Sequence, residues 1–159
     1  MIRDVTEEVS YRRFQKLQER ARTAGELEER IVAEAFDLLD VSGDDAEDAD
    51  LRNPRTQARY EVKSANATVG SGNGETEDGR FRLWEDQHRS IVGYDAQPDL
   101  AGWYVFVRCD RQGTPQVMRR VEPSTVTKLV DGRWNDASHE GRDARQYKLP
   151  IGEVFDERL

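Results

Sequence analysis

Cysteine is almost missing from this chain. The single Cys109 in 159 residues excludes an internal disulfide and a cysteine-built zinc site. Lysine is scarce too: only Lys16, Lys63, Lys128 and Lys148 occur, so 20 of the 24 basic residues are arginine. No apolar run of the sequence approaches the length of a membrane span. The first residues, MIRDVTEEVSYRR, are charged rather than apolar, which speaks against a secretory signal. An intracellular, cytoplasmic protein with no membrane contact is the expectation. The two histidines, His88 and His139, lie far apart and without cysteine partners, so they offer no basis for zinc. Internal repeats and low-complexity tails are absent as well.

What the chain has in excess is acid. Asp and Glu number 32, giving a formal net charge of −8, while hydrophobic residues make up 36%. The length fits one domain with a real but economical core. A net negative charge argues at first sight against nucleic acid, because phosphate binding needs a basic footprint. The acid is concentrated early, however, as in Asp44-Asp45-Ala46-Glu47-Asp48-Ala49-Asp50. Few lysines and many carboxylates also fit a salt-adapted, halophilic source, where screening removes the self-repulsion and charge preserves solubility.

Hydrophobic periodicity predicts helix over residues 3–40, with Leu27, Ile31, Ala35, Leu38 and Leu39 as the clearer apolar stripe and a break near Gly25. A short strand is expected over Ala46 to Leu51, then a turn at Asn53-Pro54-Arg55. Gln57 to Ser64 reads as a strand with Tyr60 and Val62 on one face and Glu61 and Lys63 on the other. Asn66 to Gly79, rich in glycine, reads as a loop, and Leu83 to Val92 as a helix. GWYVFVRC, residues 102–109, is near-continuously apolar, as a buried central strand should be. A second strand over Gln116 to Val121 follows, then a helix opened by Pro123-Ser124 and an amphipathic YKLPIGEVF. These elements make an α/β or α+β sandwich.

Several familiar signals fail. GSGNG at Gly70 to Gly74 is neither a dinucleotide fingerprint nor a phosphate-binding loop. The acidic run from Asp40 is not an EF-hand, since Gly43 falls at its fourth position and Leu51 at its twelfth. Ser64 has neither a neighbouring base nor a GxSxG elbow.

One constellation remains. Asp50 lies eleven residues before Glu61, and Lys63 two after it. Strands joined at Asn53-Pro54 would bring Asp50 beside Glu61. Two carboxylates on neighbouring strands suit Mg²⁺ (or Mn²⁺), which takes one or two protein carboxylates and keeps several waters. Such an ion polarises a phosphoryl oxygen and acidifies a water. Lys63 beside it could orient that water, help deprotonate it, or neutralise charge on the phosphorane. Arginine could not exchange a proton in that role, which gives a lysine-poor chain a reason to keep Lys63.

Asp50…Glu61-Val62-Lys63 resembles the D…(D/E)xK signature of the PD-(D/E)XK nuclease superfamily, which includes type II restriction endonucleases and archaeal Holliday-junction resolvases. The resemblance covers roughly residues 25–121. It implies a restriction-endonuclease-like α/β core with a central mixed β-sheet flanked by helices. It also implies a Glu from the first core helix, supplied by Glu28 or in the neighbouring register Glu29, and a site-facing Gln on the helix after the ExK strand, supplied by Gln87. Ala49 departs from the usual Pro before the Asp, and Asp48, of the same strand parity as Asp50, is a rival ligand.

The resulting expectation is a single nuclease domain over residues 1–159, with a helical extension at 1–24, the core at 25–121 and a C-terminal extension at 122–159. Its function would be metal-dependent endonuclease action on DNA. Asp50, Glu61 and Glu28 would hold the metal, Lys63 would serve the attacking water, and Gln87 would position Lys63 or the phosphate. Arg80, Arg82 and Arg89, with Arg52, Arg55 and Arg59 near the turn, are the candidate phosphate contacts. The family suggests a homodimer in which two sites cut two strands. No small-molecule cofactor is implied. A non-catalytic DNA-binding module of the same fold and an acidic protein-interaction domain are the competing readings.

Overall fold

GWYVFVRC forms the centre of the main sheet. The computed structural model describes residues 2–4, 39–40, 51–70, 76–110, 115–136 and 144–155. In chain order its elements are β1 (Ile2–Asp4), β2 (Leu39–Asp40), β3 (Leu51–Arg52), β4 (Arg59–Asn66), β5 (Thr68–Gly70), β6 (Thr76–Asp78) and β7 (Arg80–Trp84). They continue with α1 (Glu85–Asp95), β8 (Gly102–Cys109), β9 (Pro115–Val121), α2 (Pro123–Val130), β10 (Asn135–Asp136), β11 (Arg145–Pro150) and α3 (Ile151–Val154).

Among the described residues the main sheet has six strands in the order β1-β9-β8-β4-β3-β2. β4 and β8 run parallel, while the other neighbours are antiparallel, so the sheet is mixed. A parallel pair needs a long crossover. Here that crossover holds the β5–β6 hairpin, β7 and α1. The α/β class with a mixed sheet flanked by helices is therefore the observed one.

Several elements differ from the sequence reading. Ile2–Asp4 is a strand on the edge of β9 and Leu39–Asp40 a strand beside β3, so the ends of the expected 3–40 helical stretch pair with the sheet. The expected stripe from Leu27 to Leu38 lies outside the described residues, as do positions 46–50 of the expected strand. The glycine-rich loop contains a hairpin, Thr68–Gly70 against Thr76–Asp78. Leu83 and Trp84 belong to β7, and the helix begins only at Glu85. In β7 the alternation is strand-like: Arg80 and Arg82 are exposed, Phe81 and Leu83 buried. Its partner is β11, the first part of YKLPIGEVF, with Leu149 opposite Phe81 and Tyr147 opposite Leu83. Pro123 opens α2, where its missing N–H costs nothing.

The core lies between β7–β11 and the β8 face of the main sheet. Phe81, Leu83, Leu149, Tyr104 and Phe106 meet there with Ile91 of α1 and Val126 of α2. α1 approaches β8 closely at Gly102, where a Cβ would lie 2.8 Å from Ile91 Cγ1 and 3.0 Å from the Ile91 carbonyl oxygen. The Gly102 N–H donates to Asp95 at 2.9 Å and closes that corner. The turn before β4 is held by Asn53, whose side-chain oxygen accepts the N–H groups of Arg55 and Thr56 at 2.9 and 3.2 Å.

Candidate active site

The side chains of β4 alternate between two covered faces. Tyr60, Glu61 and Val62 are all buried, so burial alone does not tell the faces apart. Register does. Glu61 stands opposite Tyr104 and Lys63 opposite Phe106 in the parallel β4–β8 pair. Paired residues share a face, so Glu61 and Lys63 lie on the face that α1 covers. The expected separation of Tyr60 and Val62 from Glu61 and Lys63 follows.

α1 runs antiparallel to β4. At one end the Tyr94 hydroxyl donates to the Gln57 carbonyl, and the Arg59 guanidinium lies 4.5 Å from the Tyr94 ring centre. At the other end Lys63 Nζ donates to Gln87 Oε1 at 3.1 Å. The same Nζ lies 3.1 Å from Glu61 Oε1. Glu61 is 3% exposed. A buried carboxylate is costly unless it is paired, and Lys63 supplies the charge. Two of the three Nζ hydrogens can be directed at Glu61 and Gln87, which leaves one for a further acceptor. With 16% of its side chain exposed, Lys63 reaches the edge of this buried site. The effect of Glu61 extends to β8: burial, then the Glu61 charge, raise the Tyr104 hydroxyl well above its ordinary value.

Three sequence-derived candidates thus come together, with Glu61 and Gln87 each in contact with Lys63. Glu28, Glu29, Asp48 and Asp50 lie outside the described residues. Among the described residues no group of three or more His, Cys, Asp or Glu side chains could hold a metal ion. Glu61 supplies one hard oxygen donor in the right chemical class, and Mg²⁺ needs only one or two such carboxylates beside water. The donor type therefore fits a divalent cation.

The arginines are more dispersed. Arg80 and Arg82 project from the face of β7 opposite Phe81 and Leu83. Arg89 is exposed and ion-paired with Glu85 at 2.8 Å. Arg55 is exposed in the turn before β4. Arg59 is four residues from Lys63 on a strand, about 13 Å at roughly 3.3 Å per residue. Arg52 pairs in register with Arg59.

Other residues escaped the sequence reading. Lys148 stands directly opposite Arg82 and both are exposed. Arg145 donates to Glu85 Oε1 at 2.8 Å, tying β11 to the first turn of α1. His88 is buried, with both ring nitrogens in hydrogen bonds, one to Tyr104 and one to Thr127. The scarcity of lysine could have singled out Lys148. No local signal marks the other contacts, because their partners come from distant elements.

A mixed sheet bearing Glu-x-Lys on a parallel strand, with a glutamine from the crossover helix on that lysine, defines a restriction-endonuclease-like α/β domain. The family model for the PD-(D/E)XK nuclease superfamily domain matches residues 15–156. The chain belongs to that superfamily. Membership points to nuclease activity, and so to hydrolase chemistry on a nucleic-acid backbone, with divalent metal of the kind these nucleases generally use. No curated protein matches the chain. No helix among the described residues is long and apolar enough to cross a membrane.

Proposed function

We propose that this protein is a metal-dependent DNA endonuclease, resolvase- or restriction-like, acting as a single nuclease domain with extensions at 1–24 and 122–159 around a 25–121 core. The observation that carries this reading is the Lys63 ammonium set between Glu61 and Gln87, each at 3.1 Å. A surface ion pair would not bury its carboxylate or recruit a helix amide.

Glu61 and Asp50 would hold Mg²⁺ or Mn²⁺, with Glu28 assisting. In the sequence Asp50 directly precedes β3, the strand that pairs antiparallel with β4. When bound, the ion polarises the scissile phosphate and makes a nearby water more acidic. Lys63 uses its remaining N–H direction to orient the attacking water, and its charge offsets that of the phosphorane. Gln87 holds Nζ beside the carboxylate. Arg80, Arg82, Arg89, Arg55 and Arg59 contact backbone phosphates and set the position of the DNA. A homodimer would present two such sites to two strands, and the cytoplasm is the proposed location.

A cleavage panel tests the assignment. Duplex, single-stranded, flap and four-way-junction DNA are incubated with Mg²⁺ or Mn²⁺ at low and high salt. Cleavage of at least one of these DNAs that requires metal and disappears in Asp50→Asn is expected. Binding without cleavage under either metal would instead identify a non-catalytic module.

A further inference from the structure

Gln87 can meet Lys63 only if α1 is rolled correctly about its axis. Successive helical residues are about 100° apart, so the direction of Gln87 is tied to that of its neighbour His88. His88 is 5% exposed and held on both ring nitrogens. Nδ1 lies 2.9 Å from the Tyr104 hydroxyl and Nε2 lies 2.8 Å from Thr127 Oγ1. The Thr127 hydroxyl donates to the Pro123 carbonyl at 3.1 Å. Its one hydrogen is therefore used, and Thr127 must accept from His88. That assigns the proton to Nε2 and leaves Nδ1 to accept from Tyr104. The chain of donors runs one way, from Tyr104 through His88 and Thr127 to Pro123, with the imidazole neutral. Burial favours the same state by pushing His88 down to about 4, against the raising pull of Glu85.

We propose that His88 is a positioning residue for the active site: by joining β8 to α2 through α1, it fixes the roll of α1 that aims Gln87 at Lys63. The far end of the tie matters as much. Tyr104 stands beside Glu61 in the β4–β8 register, so one connection sets the helix relative to both the carboxylate and the ammonium. A second anchor of the first helical turn, buried Glu85 with Arg89 and Arg145, involves guanidinium side chains that are 73% and 47% exposed. Solvent at the cations screens these pairs more than it does the enclosed hydrogen bonds of His88. The C-terminal half of α1 has its own anchors, Ile91 in the core and Asp95 on the Gly102 N–H. His88 adds to these a fully enclosed tie directly beside Gln87.

The role rests on the nuclease reading, so the test has one readout with activity and one without. His88→Phe keeps a ring against Tyr104 and Trp134 but removes both hydrogen bonds. His88→Gln retains a donor and an acceptor. In folded His88→Phe the single-turnover cleavage rate should fall by about tenfold to 100-fold, the scale of a misplaced catalytic group. DNA affinity should stay within about twofold of the unmodified protein, the loss falling on the chemical step alone. His88→Gln should recover most of the rate. In a Gln87→Met background His88→Phe should cost nothing more, because residues acting through one another are not additive. An unchanged rate in His88→Phe, or a full additional loss in the Gln87→Met background, overturns the proposal. If His88→Phe fails to fold, Tyr104→Phe removes only the hydroxyl and is read by the same criteria.

The second readout is the NMR signal of Lys63 in metal-free protein, resolvable because the chain has four lysines. His88→Phe should move that signal in the same direction as Gln87→Met. An unmoved signal overturns the proposal even where cleavage is slowed. A wild-type protein that cuts no DNA overturns the nuclease reading, while this signal still decides the role of His88.

Discussion

Lys63 of β4 and Gln87 of α1, 24 positions apart in the chain, meet at 3.1 Å, and the same ammonium lies 3.1 Å from Glu61 Oε1. The contact joins the strand of the ExK motif to the crossover helix. It gives the lysine a fixed direction.

Removing that ammonium should uncover the carboxylate. Lys63→Met takes away the ammonium 3.1 Å from Glu61, which is 3% exposed. Breaking a buried pair costs at most about 3–5 kcal/mol, and less here because Lys63 is partly solvated. A divalent cation at Glu61 would restore positive charge. Added Mg²⁺ should therefore raise the melting temperature of Lys63→Met more than that of the unmodified protein. A variant whose melting ignores Mg²⁺ would count against Glu61 as a ligand. The readout needs no enzymatic activity.

Arg82 and Lys148 face each other across β7 and β11. Like charges directly opposite are destabilising, so the pair suits a surface that meets phosphate. Lys148→Ala should weaken DNA binding and reduce the salt slope of log K by about one. Its melting temperature should be unchanged or higher. Unaltered affinity would remove this face from the DNA path.

The pH dependence of stability should carry the imprint of His88, which burial holds at about 4 against an ordinary 6.5. Between those values the unfolded chain takes up a proton that the folded one refuses. Stability is therefore intact above about pH 6.5 and falls as pH drops toward 4, where this contribution levels off. The full effect is up to about 3 kcal/mol, at roughly 1.4 kcal/mol per pKa unit. Urea unfolding at a series of pH values should show a shallower decline for His88→Gln. Parallel declines would mean that His88 titrates alike in both states.

The net charge of −8 makes a separate prediction. Raising salt from about 0.1 M to about 1 M shortens the Debye length from about 10 Å to about 3 Å and should raise the melting temperature by screening self-repulsion. Greatest stability at the lowest salt would contradict adaptation to high salt.

The parts of this structure that could be read from sequence are those with local causes. GWYVFVRC became β8 at its expected bounds because a fully covered strand is apolar throughout. Pro123 marked the start of α2. Glu61 and Lys63 were legible because spacing of two puts them on one face, whereas Gln87 stood out only through the family resemblance. β7 was misread for a physical reason: Trp84, His88 and Ile91 happen to fall at helical spacing, while the alternation of Arg80 to Leu83 is satisfied only by pairing with β11, over 60 residues later. The state of His88 was equally out of reach, since Tyr104 and Thr127 converge on it from separate elements.

The most direct measurement is single-turnover cleavage of end-labelled DNA, on whichever structure the protein cuts fastest, comparing the unmodified protein with Lys63→Ala in Mg²⁺. Both proteins are checked for folding and DNA binding beforehand. Loss of a group that orients the attacking water and stabilises the developing charge should lower the rate by about 100-fold or more, with binding retained. Cleavage by Lys63→Ala at the unmodified rate would contradict the assignment of Glu61, Lys63 and Gln87 as a nuclease site.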